Sequence, residues 1–238
     1  QLVRTGFTPG SLCPLFAGER SSSPSCAGCL LRTTPCPFFV PPFLPRSTVP
    51  PFVQAVLLVN TIFYLLQANF YYESMRWLAL WPDPLITLTH PWQLLTYSVL
   101  HGSFTHLLFN MFAIYMFGSR VELVWGARRT AIAYGLAVLF GALAQLLVAM
   151  LIPGQGGAPV IGASAGVFGI LLAYALLFPH ERVMLLIPPI PLPARVFVAI
   201  YAALELWFGL TGTQEGVAHF AHLGGLLGGW IGYRYIRR

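Results

Sequence analysis

The sequence predicts an all-α, polytopic membrane protein built as a six-transmembrane-helix bundle. Three observations predict it. The 238 residues are 57% hydrophobic and 8% charged, with mean hydropathy +0.72. Soluble domains carry about 25% charged residues, so too few charges are present to build a water-facing surface. Six apolar segments approach the roughly 20 residues that cross a bilayer, at about 52–70, 94–117, 130–152, 160–178, 194–211 and 217–235. Finally, the cations fall on one side of that six-span arrangement. Arg4, Arg20, Arg32, Arg46, Arg120, Arg128, Arg129, Arg182, Arg195, Arg234, Arg237 and Arg238 share it, and Arg76 stands opposite. Arginine-rich loops face the cytoplasm, which predicts cytoplasmic N- and C-termini and an inner (plasma) membrane location. The net charge of +6 is explained by this topology. The arginines do not cluster with interleaved aromatics, so nucleic acid is not an expected partner.

Residues 1–48 are rich in Pro, Ser, Gly and Cys without a period and read as a flexible arm. Cys13, Cys26, Cys29 and Cys36 all lie there; a single CxxC with stray neighbours reads as free thiols before a zinc site. The first Met is Met75, already past an apolar segment, which leads to the expectation of a native start near Val49. N-terminal sequencing tests it. Residues 49–238 form the membrane domain. The first span is followed by "YYESMRWLALWPDPLITLTHPW", whose Trp77, Trp81 and Trp92 suit a membrane interface. The connector "VMLLIPPIPLP" is apolar but broken by prolines and reads as interfacial too.

Polar residues inside spans are functional candidates by default. His101, His106 and Asn110 open the second span, Ser164 opens the fourth, and His219 and His222 open the sixth. These three spans run in the same direction, so the clusters are expected at one depth, in the outer leaflet. Taken singly, Ser164 in "GASAG" reads as helix packing, His106 with Asn110 could simply bridge helices, and a metal pair is the minority reading of HxxH at 219 and 222. Taken together they match a hydrolytic site. An imidazole can take the proton of a serine hydroxyl, and Asn or His donors and helix-start N–H groups can hold an oxyanion. No Asp lies near either histidine in sequence, so a Ser–His dyad is expected before a triad. Gly225 and Gly229 form a GxxxG face one turn below His222. Its expected partner is the Ser164 helix, with a small face at Gly162, Gly166 and Gly169.

At these residues the chain resembles the rhomboid family of intramembrane serine proteases, over about residues 49–236. "HPWQLLTYSVLHGSFTHLLFNMFAIYMFG", "VELVWG" with Glu122, "GASAGVFGILLA" and "AHFAHLGGLLGG" resemble its ordered motifs. The resemblance implies Ser164 as nucleophile and His222 as general base. It implies Asn110 and His106 at the oxyanion, with the Ser164 N–H. Phe168 would pack under the catalytic histidine and His101 would support the site. His219 has no counterpart in the core motif and is set aside. No cofactor or metal is implied; the partners would be single-pass membrane protein substrates and the lipid bilayer. The fifth span and the loop before the sixth would gate lateral access. Two positions depart from the family pattern. Ala165 follows the serine where Gly is usual, with backbone strain as the consequence if φ there is positive. Trp92-Gln93 stands where some members have Trp-Arg, which puts the loop's internal contacts in doubt. Competing readings are an inactive rhomboid-like binding protein, a His-ligated haem or metal protein using His106, His219 and His222, and a transporter using Glu205. No HExxH is present, which disfavours a zinc protease.

Overall fold

The computed structural model describes residues 49–152, 157–184, 189–212 and 216–237. The expected arm 1–48, with its cysteines, lies outside them. Helix α1 (Pro51–Asn69) opens with a proline, which has no N–H to lose at the first helical position. The next two N–H groups, of Phe52 and Val53, donate to Glu122 Oε1 and Oε2 at 2.8 and 2.9 Å. Glu122 is buried, and a carboxylate at a helix N-terminus is well placed against the helix dipole. An acidic residue in an apolar segment is thereby used to seat the first helix.

The aromatic loop folds into short helices α2 (Tyr71–Leu78), α3 (Pro84–Thr89) and α4 (Gln93–Thr96), the last running into a 3₁₀ turn at Tyr97–Val99. Asp83 caps α3 by accepting from Leu85 and Ile86 N–H. Gln93 is fully buried. Its Nε2 donates to Arg76 O at 3.1 Å and its Oε1 accepts from Trp81 N–H at 3.4 Å. Trp92 Nε1 donates to Trp77 O at 2.8 Å. The loop therefore keeps internal contacts with Gln in place of Arg.

The second expected span, 94–117, is displaced. The chain breaks after the 3₁₀ turn and Ser103 caps a new helix, its Oγ accepting from His106 N–H at 3.1 Å. Helix α5 (Phe104–Ala113), a π turn at Ile114–Gly118 and α6 (Ser119–Trp125) form one continuous rod, Phe104–Trp125. Gly126, at φ +77°, reverses the chain into α7 (Ala127–Leu151). The fourth expected span, 160–178, is shortened. Val160 is extended and exchanges hydrogen bonds with Leu80 at 2.8 and 3.1 Å. Helix α8 therefore begins only at Ser164 and ends at Leu177. A two-strand ribbon, β1 (Arg182–Met184) and β2 (Pro191–Pro193), occupies the proline-rich connector. Helices α9 (Ala194–Thr211) and α10 (His219–Ile236) complete the bundle.

Four helices among the described residues are long and apolar enough to cross a membrane: Pro51–Asn69, Phe104–Trp125, Ala127–Leu151 and Ala194–Thr211. At 14 residues α8 reaches about 21 Å, short of a bilayer core of about 30 Å. Helix α10 lies in a trough between α7 and α8. A Cβ on Gly224, Gly228 or Gly232 would meet Phe140 O, Leu136 O or Ala133 Cα of α7. One on Gly225 or Gly229 would meet Ala165 or Gly169 backbone of α8. The expected small face of α8 is corrected accordingly: Ala165 and Gly169 meet α10, whereas Gly166 faces Tyr134 and Gly162 faces His106. Glycine lets two backbones approach at van der Waals distance, and here it does so on two sides of one helix.

Candidate active site

Ser164 is the first residue of α8 and His222 lies in the first turn of α10. Because α10 sits so close to α8, Ser164 Oγ and His222 Nε2 are 2.8 Å apart, although 58 residues separate them. Both line a cleft of about 380 Å³ together with His106, Asn110, Phe168 and the 216–218 segment. For Nε2 to accept the serine proton, the ring must carry its own proton on Nδ1. The Phe168 ring lies 4.5 Å from the His222 ring at 11°, a stacked contact that fixes the imidazole plane.

Gly162, at φ +121°, turns the extended segment into the helix. A Cβ there would stand 2.6 Å from His106 Cε1, so this glycine also makes room for His106 beside the serine. Asn110 Nδ2 donates to His106 O at 2.9 Å. An amide nitrogen has two N–H groups, so one remains to point into the cleft. The first-turn N–H groups of α8 have no partner within their own helix and lie at the same mouth. Ala165 is helical, within Ser164–Leu177, so the expected strain at positive φ does not arise. Its methyl is accommodated opposite Gly141 of α7.

His101 is brought near but not into the cleft. Its ring is buried 5.0 Å from the His106 ring. Its backbone N–H donates to Gln67 Oε1, and its carbonyl accepts from Gln67 Nε2, both at 3.1 Å, which ties α1 to the turn before α5. Glu205 and His219, which the sequence reading placed only in the competing transporter and metal readings, stand beside the pair. Glu205 of α9 places Oε2 2.6 Å from His219 Nδ1 and 2.9 Å from His222 Nδ1. A signal existed: His219 and His222 are i,i+3 and share a helix face, and Glu205 is the only acid in 194–211. Among the described residues, these three groups also form the cluster that could ligate a metal. Ligands of a tetrahedral zinc with bonds of about 2.0 Å stand about 3.3 Å apart. The 2.6 Å contact of His219 fits a shared proton better, and the 2.9 Å contact of His222 is at ion-pair distance.

The arrangement defines a class: a polytopic helical membrane protein with a Ser–His pair recessed in a mostly apolar cleft that also presents His106 and Asn110. The Rhomboid domain model matches residues 88–238, well over half of the chain, and the chain belongs to the rhomboid family. It is 31% identical over 140 residues to Rhomboid protein 1, mitochondrial, of Saccharomyces cerevisiae, covering 58% of this chain and 40% of that one. It is 30% identical over 149 residues to Rhomboid protease GluP of Bacillus subtilis, covering 63% and 27%. Rhomboid-related protein 1 of Caenorhabditis elegans is 27% identical over 186 residues, covering 69% and 50%. The chain thus spans no more than half the length of these three relatives. Family membership and the apolar helices make it a multi-pass membrane protein.

Proposed function

We propose that this chain is an intramembrane serine endopeptidase. Its six-helix membrane domain, residues 49–238, hydrolyses peptide bonds in or near the transmembrane segments of single-pass membrane proteins. The observation that carries this reading is the 2.8 Å contact of Ser164 Oγ with His222 Nε2 in an open cleft that also presents His106 and Asn110. In the proposed reaction Ser164 Oγ attacks the scissile carbonyl carbon as its proton passes to His222 Nε2. The carbonyl electron pair moves to oxygen, held by the Ser164 N–H, Asn110 and His106. His222 then protonates the leaving amine as the C–N bond breaks, and water repeats the sequence on the acyl-enzyme. The chemistry calls on no metal or cofactor. The arginine distribution supports cytoplasmic termini in a plasma membrane, with the cleft opening outward.

The test is cleavage of a model single-pass substrate in detergent or liposomes by wild type, Ser164→Ala and His222→Ala. Wild type should cleave and be labelled by a fluorophosphonate probe, and Ser164→Ala should do neither. Equal labelling of wild type and Ser164→Ala would defeat the proposal and favour an inactive binding protein.

A further inference from the structure

We infer that Glu205 is the positioning residue of the Ser164–His222 pair, so that the catalytic group is a Ser–His–Glu arrangement drawn from three helices. The inference rests on the protease reading above. With Nε2 facing the serine, the His222 Nδ1–H is buried against α9. A buried donor needs an acceptor, and Glu205 Oε2 stands 2.9 Å away. The N–H direction is too far out of line for a hydrogen bond, so Nδ1 has no hydrogen-bond partner here and the contact is one of ion-pair distance. Contacts of this kind often align only when the reacting state forms. The same Oε2 is anchored from the other side by His219 Nδ1 at 2.6 Å, and the Glu205 carboxyl is mostly buried. His219 is thus the residue that holds the carboxylate, which gives the first histidine of HxxH a task.

The reaction explains why a carboxylate belongs there. When Ser164 Oγ bonds to the carbonyl carbon, its proton joins Nε2 and His222 becomes a cation, with the Nδ1 proton still in place. A fixed negative charge facing Nδ1 stabilises that cation only in the state that contains it, which lowers the barrier without tightening substrate binding. When Nε2 gives its proton to the leaving amine, the ring is neutral again and Glu205 is unchanged. The groups around His222 suit this division of labour. Ser164 comes from α8, His106 from α5, His219 from its own helix and Glu205 from α9. Glu205 is the one anionic side chain that the described residues bring within ion-pair distance of it. Helix α9 is otherwise buried only at Ala194, Phe197, Val198 and Gly209, so the carboxylate is also its polar attachment to α10.

Steady-state cleavage of the model substrate by full-length wild type, Glu205→Gln and Glu205→Asp tests the inference, with Ser164→Ala as the blank and a thermal melt of each. Gln keeps the shape and an acceptor oxygen but removes the charge. Glu205→Gln should lose up to about 10⁴-fold in kcat with KM within about twofold and a near wild-type melt, and Glu205→Asp should recover part of the loss. A wild type that cleaves beside an equally fast Glu205→Gln overturns this inference alone. So does a loss shared by both variants together with their melting transition, which marks Glu205 as merely structural. A wild type no better than the Ser164→Ala blank overturns the protease reading, and this inference with it.

Discussion

Gly225→Ala should disable the proposed catalytic pair without touching either member of it. The new Cβ would stand 2.8 Å from Ala165 C and 2.9 Å from Ala165 Cα, where carbon pairs prefer about 3.5–4.0 Å. The Cβ would also overlap Ala165 O, and all these neighbours are backbone, so no side chain can swing aside and α10 must part from α8 by at least about 0.7 Å. His222 is one turn before Gly225 on the same face. The 2.8 Å contact with Ser164 then opens to about 3.5 Å or more, outside the ordinary hydrogen-bond range. Overpacking of this kind destabilises by about 1–3 kcal/mol, which leaves the protein folded. A displacement near 1 Å at reacting groups lowers activity on the order of 10²-fold, about 2.7 kcal/mol of barrier. The assay is kcat/KM for a single-pass substrate in detergent, with a melt to confirm folding. Gly135→Ala is the control, since a Cβ there meets nothing within 4 Å, and it should cleave at the wild-type rate. A folded Gly225→Ala that cleaves as fast as wild type would refute the reasoning.

Other sites make separate predictions. Asn110→Ala should lower kcat by about 10²–10³-fold at little change in KM, as expected for a lost oxyanion donor; single-turnover kinetics checks it. Phe168→Ala removes the stacked ring under His222 and should slow fluorophosphonate labelling of Ser164 by roughly 3–10-fold, the worth of an aromatic pair. Glu122→Ala leaves Phe52 and Val53 N–H without their carboxylate, at about 3 kcal/mol; calorimetry in detergent should show a melting midpoint lower by roughly 6–12 °C. Gln93→Ala strips partners from Arg76 O and Trp81 N–H, so limited trypsin digestion should cut sooner after Arg76.

How much was legible in the sequence depends on whether a feature is local. A polar side chain in an apolar segment stands out wherever the chain folds, because a membrane segment holds few of them. For that reason Ser164, His222, His106 and Asn110 could be nominated together, and the structure brings all four to one cleft. His101 was nominated by the same rule but packs behind His106, and its backbone holds Gln67. Glu205 was read only as the charge of a competing transporter because its partner His219 lies 14 residues and a helix away. Helix ends shifted where a tertiary contact outbid apolar character: the Leu80–Val160 bridge keeps residues before Ser164 extended, and Ser103 restarts a helix that hydropathy runs straight through.

By itself the sequence determined that this chain lives in a bilayer, roughly where its spans lie, and which few polar groups they carry. These follow from hydropathy and composition, which are properties of single segments. The tertiary structure decided which of those groups meet. Each residue turns a helix by about 100°, so a small change in rotation or start sends a side chain to a different neighbour. Here the glycines of α10 are split between α7 and α8, and that wedge sets the rotation which turns His222 toward Ser164 on one side and Glu205 on the other.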